Sequence, residues 1–154
     1  AGPPRPITHQ AIDHQVLINL ATLVETKAQG GPARMPILEE VAESENVPLS
    51  HVVASLGVNP QIIPDVDSQT LIAICVGTCQ GQGAIPVLDK LLELKKERDA
   101  NAKPSFSIVP RSCLDMCAHS PVCISRSAHG QAAHPRLKPE QVQETIDALC
   151  DTAS

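Results

Sequence analysis

Thr70-Leu-Ile-Ala-Ile-Cys-Val-Gly-Thr-Cys79 is the stretch on which the reading of this chain turns. From Thr70 to Val76 it is a continuous β-branched run, the pattern of a strand covered on both faces, and it delivers Cys75 at its end. Gly77, Gly81 and Gly83 follow, so Cys79 is expected in a loop whose backbone N–H groups can turn toward sulfur. The arrangement recurs farther along: Phe106-Ser-Ile-Val109 reads as a second strand and leads to Cys113-Leu-Asp-Met-Cys117. Two pairs of identical spacing, each at a strand exit, are expected to converge on one edge of a sheet. Cys75, Cys79, Cys113 and Cys117 are therefore candidate ligands of a small iron–sulfur cluster, and electron transfer is the chemistry such a site performs.

Three other readings stay open for the same residues. A structural zinc would also use four thiolates, although its usual knuckles are CxxC or similar. A thiol-disulfide oxidoreductase would need one pair, normally CxxC, and would leave the second pair unexplained. Plain buried or disulfide-linked cysteines are the third. Cys123, inside an expected strand, and Cys150, near the end of the last helix, read as core residues, with Cys123 as the one spare ligand.

Around this centre the chain divides into a helical unit over 1–58, a connector over 59–68 and an α/β unit over 69–154. The first unit has Ile12, Val16, Leu20 and Leu23 at helical spacing between residues 8 and 28, with Gly30-Gly31-Pro32 as the breaker. A second helix opens at Pro36 and turns Ile37 and Val41 inward. A third follows Pro48, with Leu49, Val52, Val53 and Leu56 as its apolar face and Gly57 as its expected cap. Pro60, Pro64, Asp65 and Asp67 break both periodicities and make the connector. Beyond Gly83, Ile85, Leu88, Leu91 and Leu92 form a helical stripe that runs into Lys95-Lys-Glu-Arg-Asp99, expected to be a solvated helix end. Pro121-Val-Cys-Ile124 reads as a third strand, Ala128 to His134 as a turn into a fourth, and Pro139 opens a closing helix with Val142, Ile146 and Leu149 on one face. The expected class is α/β (α+β), a four-stranded sheet with flanking helices preceded by three helices.

Composition narrows the function. At 154 residues, 42% of them hydrophobic and 19% charged, the chain can bury a real core. Phe106 is its sole aromatic residue, so there is no base-stacking platform, and twelve basic against seventeen acidic residues argue against a phosphate-backbone partner. Nucleic acid is not an expected ligand. No run approaches the roughly 20 apolar residues of a bilayer crossing, so direct membrane insertion is not expected. A cytoplasmic location is, with room for a targeting segment upstream of a chain that opens without Met. The histidines offer no rival site: His119 is close enough in sequence to the second pair to donate to a cluster sulfur or to ligate, but it reads as a loop residue. His9, His14, His51, His129 and His134 read as surface residues. Gly81-Gln-Gly83 lacks the third glycine of a dinucleotide fingerprint, so no flavin or nicotinamide site is expected in this chain.

Several of these residues together carry a likeness. From about Ile7 the chain resembles the thioredoxin-like [2Fe-2S] ferredoxin family, in the form found as the small diaphorase subunit of respiratory complex I and of NAD-dependent hydrogenases and formate dehydrogenases. The matching features are the N-terminal helical unit, Cys75-x-Gly77-Thr78-Cys79-x-x-x-Gly83-Ala84, Cys113-Leu-x-x-Cys117-x-x-x-Pro121, and the Leu137-Lys-Pro-Glu-x-Val142 entry to the last helix. The resemblance implies a thioredoxin-like fold and one [2Fe-2S] cluster on Cys75, Cys79, Cys113 and Cys117. It also implies a larger partner subunit that binds FMN and NAD, further redox subunits, and no catalysis by this chain alone. The chain departs from the family pattern in three places. Three residues instead of the usual four separate Cys75 from Cys79. Gly57-Val-Asn-Pro-Gln-Ile62 stands where an aromatic-rich stretch is usual. Ala118-His-Ser120 replaces small apolar residues after the last ligand.

Overall fold

The computed structural model describes residues 9–112 and 119–151. Asp13 sets the start of the first helix, α1 (His14–Ala28), because its carboxylate accepts from the N–H groups of Gln15 and Val16. The helix therefore starts later than residue 8, and its buried stripe is Leu17, Leu20, Ala21 and Val24, with Val16 on the exposed side. Gln29, in the left-handed region, ends it ahead of the glycines. Then come β1 (Pro32–Ala33), α2 (Met35–Glu45) and α3 (Leu49–Ser55), which runs into a 3-10 turn over Leu56–Val58. The stretch read as an irregular connector contains β2 (Ile63–Pro64), which pairs in parallel with β1. Two-residue strands are too short to show any periodicity, so neither was visible in the sequence.

The main sheet is built from β3 (Leu71–Cys75), β4 (Ser107–Arg111), β5 (Cys123–Ser127) and β6 (Gly130–His134), in the order β4-β3-β5-β6. Helix α4 (Ala84–Ala100) joins β3 to its parallel neighbour β4. β5 and β6 form an antiparallel hairpin whose first strand lies against β3, and α5 (Pro139–Asp151) closes the chain. This is the expected mixed α/β class, with thioredoxin-like strand order. β5 begins two residues after Pro121, since a proline has no N–H to give to a ladder, whereas Pro110 is tolerated because β4 is an edge strand. Central β3 is less enclosed than its composition suggests: Ile72 and Ile74 are buried, while Leu71 and Ala73 on the opposite face are half-buried.

One aliphatic cluster joins the helical unit to the sheet. Val24, Val41 and Val52 from the three N-terminal helices meet Ile72, Ile74, Leu88, Leu91, Phe106 and Ile146 in it. Among the described residues no helix is long and apolar enough to cross a membrane.

The charged end of α4 is solvated at Lys96, Glu97 and Asp99, but not at Lys95 and Arg98. Lys95 is buried, with its ammonium donating to Phe106 O at 2.8 Å and lying 3.6 Å from Asp67 and 3.5 Å from Asp99. Arg98 is only 4% exposed, and its guanidinium donates to Pro104 O, to Asp147 and to both carboxylate oxygens of Asp151. A planar fork meeting a carboxylate in this way ties α4 to α5 with geometry that a lysine cannot copy. A helical stripe followed by a charge run looks the same in sequence whether α5 packs there or not.

Two glycines allow close approach at the C-terminal ends of β3 and β4, Gly77 to backbone and Gly57 to a side chain. A β-carbon on Gly77 would lie 2.0 Å from Ser112 O, and one on Gly57 would lie 2.7 Å from Val76 Cγ2. Gly57 is thus required for close approach inside the 3-10 turn, not as the helix cap expected from sequence; the helix continues into the turn through Leu56.

Two outcomes follow for stability. Arg98→Met should lower the thermal midpoint by roughly 5 °C, given the partly exposed carboxylates it serves. The Arg98 hydrogen bonds hold the Asp151 carboxyl below its ordinary value, so its contribution is complete above the unfolded value of about 3.9 and is lost as pH falls through the lower folded one. The gap between parent and variant in denaturant titrations should therefore be constant near neutrality and shrink below about pH 4. Gly77→Ala should cost about 2–3 kcal/mol, because its methyl meets backbone instead of a movable side chain; a denaturant midpoint equal to that of the parent would exclude the close approach.

Candidate metal centre

Parallel pairing places Cys75 opposite Arg111, so β3 and β4 end together at one edge of the sheet. The ladder continues past the strand end through Val76 N donating to Arg111 O at 2.7 Å. Cys75 is 1% exposed, and its thiol reaches Ser112 O at 3.7 Å. After Gly77 the chain turns through a 3-10 segment, Thr78–Gln82, where sequence suggested an open loop. Cys79, also 1% exposed, sits in that turn, and its sulfur is 2.6 Å from Ser120 Oγ. Cys75, Cys79, Ala84 and Val122 form a small apolar cluster apart from the main core.

Gln80 organises the turn, which sequence reasoning missed. Its amide is 3% exposed, donates through Nε2 to Val76 O, and accepts from Ile12 N through Oε1 at 2.8 Å. His9 N donates to Gly81 O at 3.0 Å, so the segment ahead of α1 is strapped across the Cys79 turn. A glutamine between a cysteine and a glycine in an expected loop reads as solvated; no local signal distinguishes this one. Gly83 ends the turn at φ 102°, a left-handed conformation suited to glycine, and a β-carbon there would meet the His9 ring.

Cys113 and Cys117 lie outside the described residues, as does Ala118. Ser112 precedes that segment and touches Cys75; Ser120 lies just after it and touches Cys79. Among the described residues no three His, Cys, Asp or Glu side chains are grouped as a metal site. Both described thiols are shielded from water; the Ser120 hydroxyl can donate to a Cys79 thiolate, whereas the Ser112 carbonyl at Cys75 only accepts and pairs with that thiol in its protonated form.

The remaining cysteines behave as core residues. Burial, together with nearby Cys75, pushes the Cys123 thiol up to about 12, so it stays protonated. It faces the main core, whereas Cys75 belongs to the smaller cluster. Cys150 is also raised by burial, and its thiol donates to Ser105 O at 3.7 Å. His119 is exposed and joins the fold through its carbonyl, which accepts from Arg136 N at 2.7 Å. His134 differs from expectation: it is half-buried, its ring is hydrogen-bonded to Ser125 Oγ at 2.8 Å, and burial lowers its proton affinity. His134 lines a shallow groove with Glu144, Thr145, Ala148 and Leu149 of α5, a neighbourhood that local pattern does not reveal.

No protein-family model matches the chain, and no curated protein matches it either. Among solved structures it is similar to a thioredoxin-like [2Fe-2S] ferredoxin from Aquifex aeolicus, at 19% identity over 52% of this chain and 78% of that one, with a TM-score of 0.45. A second structure described as the wild-type thioredoxin-like [2Fe-2S] ferredoxin from Aquifex aeolicus aligns at 20% identity over 52% of this chain and 84% of that one, with a TM-score of 0.44.

Proposed function

We propose that this chain is an electron-transfer protein that holds one [2Fe-2S] cluster on Cys75, Cys79, Cys113 and Cys117. The supporting observation is the bracketing of the second cysteine pair: the chain touches one thiol of the first pair immediately before that segment, at Ser112, and the other just after it, at Ser120. A two-iron cluster on four thiolates supplies a carrier of single electrons. The chain's own residues bury the sulfurs of Cys75 and Cys79, hold the turn through Gln80, and exclude water with Ala84 and Val122. No acid, base or nucleophile is needed, so the chain is not a catalyst by itself.

The finer reading is a subunit of an NAD(P)-linked oxidoreductase of the hydrogenase, formate dehydrogenase or NADH dehydrogenase type. It rests on the motif likeness of Cys75-x-Gly77-Thr78-Cys79 and Cys113-Leu-x-x-Cys117 to small diaphorase subunits. FMN and NAD would then reside in the larger partner, and this chain would pass electrons one at a time between that flavin and further centres. The half-buried Leu71, Ala73 and Ile124 leave part of the sheet incompletely covered, which accords with a chain that works inside an assembly.

Purified under exclusion of oxygen, the chain should contain about two irons and two acid-labile sulfides and give a binuclear paramagnetic signal after dithionite reduction. Replacing any one of Cys75, Cys79, Cys113 or Cys117 by serine should bleach or strongly shift the visible absorbance, while Cys123→Ala and Cys150→Ala leave it intact. One zinc per chain, or a metal-free protein active in disulfide exchange, would refute the proposal. Co-purification with a flavoprotein tests the assembly reading separately.

A further inference from the structure

Ser120 places a side-chain hydroxyl at a candidate ligand, and it is wholly buried. Its Oγ lies 2.6 Å from Cys79 Sγ, and in the thiol form either atom can donate. Ligation removes that ambiguity. A sulfur bound to iron has lost its proton and can only accept, so the Ser120 hydroxyl must be the donor. Burial also matters, because no water competes for the sulfur and the interaction is not diluted by solvent. Val122 and Ala84 pack with Cys75 and Cys79 in the same small buried cluster.

The geometry points to Ser120 as the residue that sets the reduction potential of the centre, by donating a hydrogen bond to Cys79 Sγ. The inference rests on the cluster reading above. Reduction adds one negative charge, shared between iron and the thiolate sulfurs, and a donor at sulfur stabilises that added charge more than it stabilises the oxidised form. Ser120 therefore raises the potential. It acts through Cys79 and is a positioning and tuning residue, with no contact to a reacting substrate.

The test is a redox titration of the full chain, followed by electron paramagnetic resonance, for the parent, Ser120→Ala and Ser120→Thr. Removing the hydroxyl should lower the reduced-to-oxidised ratio at fixed applied potential by about tenfold, which is ~59 mV for a one-electron couple. Iron and sulfide content should stay at parental levels, the iron–sulfur stretching frequencies should shift upward as the bond to sulfur strengthens, and threonine should restore the parental potential. An unchanged potential in an iron-replete Ser120→Ala protein overturns the inference while leaving the cluster proposal standing. Loss of iron from Ser120→Ala but not from Ser120→Thr overturns it too, in favour of a purely structural hydroxyl. A parental chain without iron overturns both proposals.

Discussion

Everything at the candidate centre depends on the parallel pairing of β3 with β4. Antiparallel neighbours would send Cys75 and the segment after Arg111 to opposite ends of the sheet. Parallel neighbours end together, and the 2.7 Å bond from Val76 N to Arg111 O carries the pairing one step beyond the strand. Parallel strands need a crossover, and α4 provides it, packed on the sheet by Val87, Leu88 and Leu91. Gly77 completes the approach by presenting no side chain to Ser112 O.

The crossover is held from two sides. Leu88 and Leu91 bury its apolar face, and Lys95 and Arg98 tie its last turns to β4 and α5 through Phe106 O, Asp147 and Asp151. Lys95 also faces Asp67, whose carboxyl accepts from Ser107 Oγ at 2.8 Å, so the end of the connector, the start of β4 and α4 share one polar knot. Burial there disfavours the charged Asp67, yet Ser107 and Lys95 outweigh it and hold its carboxyl below the usual range. With a single aromatic residue available, an aliphatic core and such polar ties divide the task of orienting the helices.

The helical unit does more than enlarge the core. Its leading segment crosses the Cys79 turn, where Ile12 N and His9 N bond to Gln80 and Gly81. Gln80 is bonded on its other side to Val76, the residue after Cys75. The segment ahead of α1 is thereby hydrogen-bonded to the turn that carries Cys79 and, through Gln80, to the residue that follows Cys75.

Much of this was legible in the sequence by itself. The β-branched run from Thr70, the leucine stripe of α4, the proline opening α5 and the paired cysteines at strand exits are local signals, written in periodicity and spacing, and they specified the α/β class and the place to look for chemistry. Only tertiary structure decided the rest. Whether Lys95 and Arg98 are solvated depends on α5 and β4 packing over them. That Gly57 and Gly77 serve close contacts depends on Val76 and Ser112, each remote in sequence from the glycine it meets. The roles of Gln80 and Ser120 depend on meeting Ile12 and Cys79 across the fold. A hydrogen bond between distant residues leaves no periodic trace in either partner, and so candidate thiols could be nominated from spacing while Gln80 and Ser120 could not.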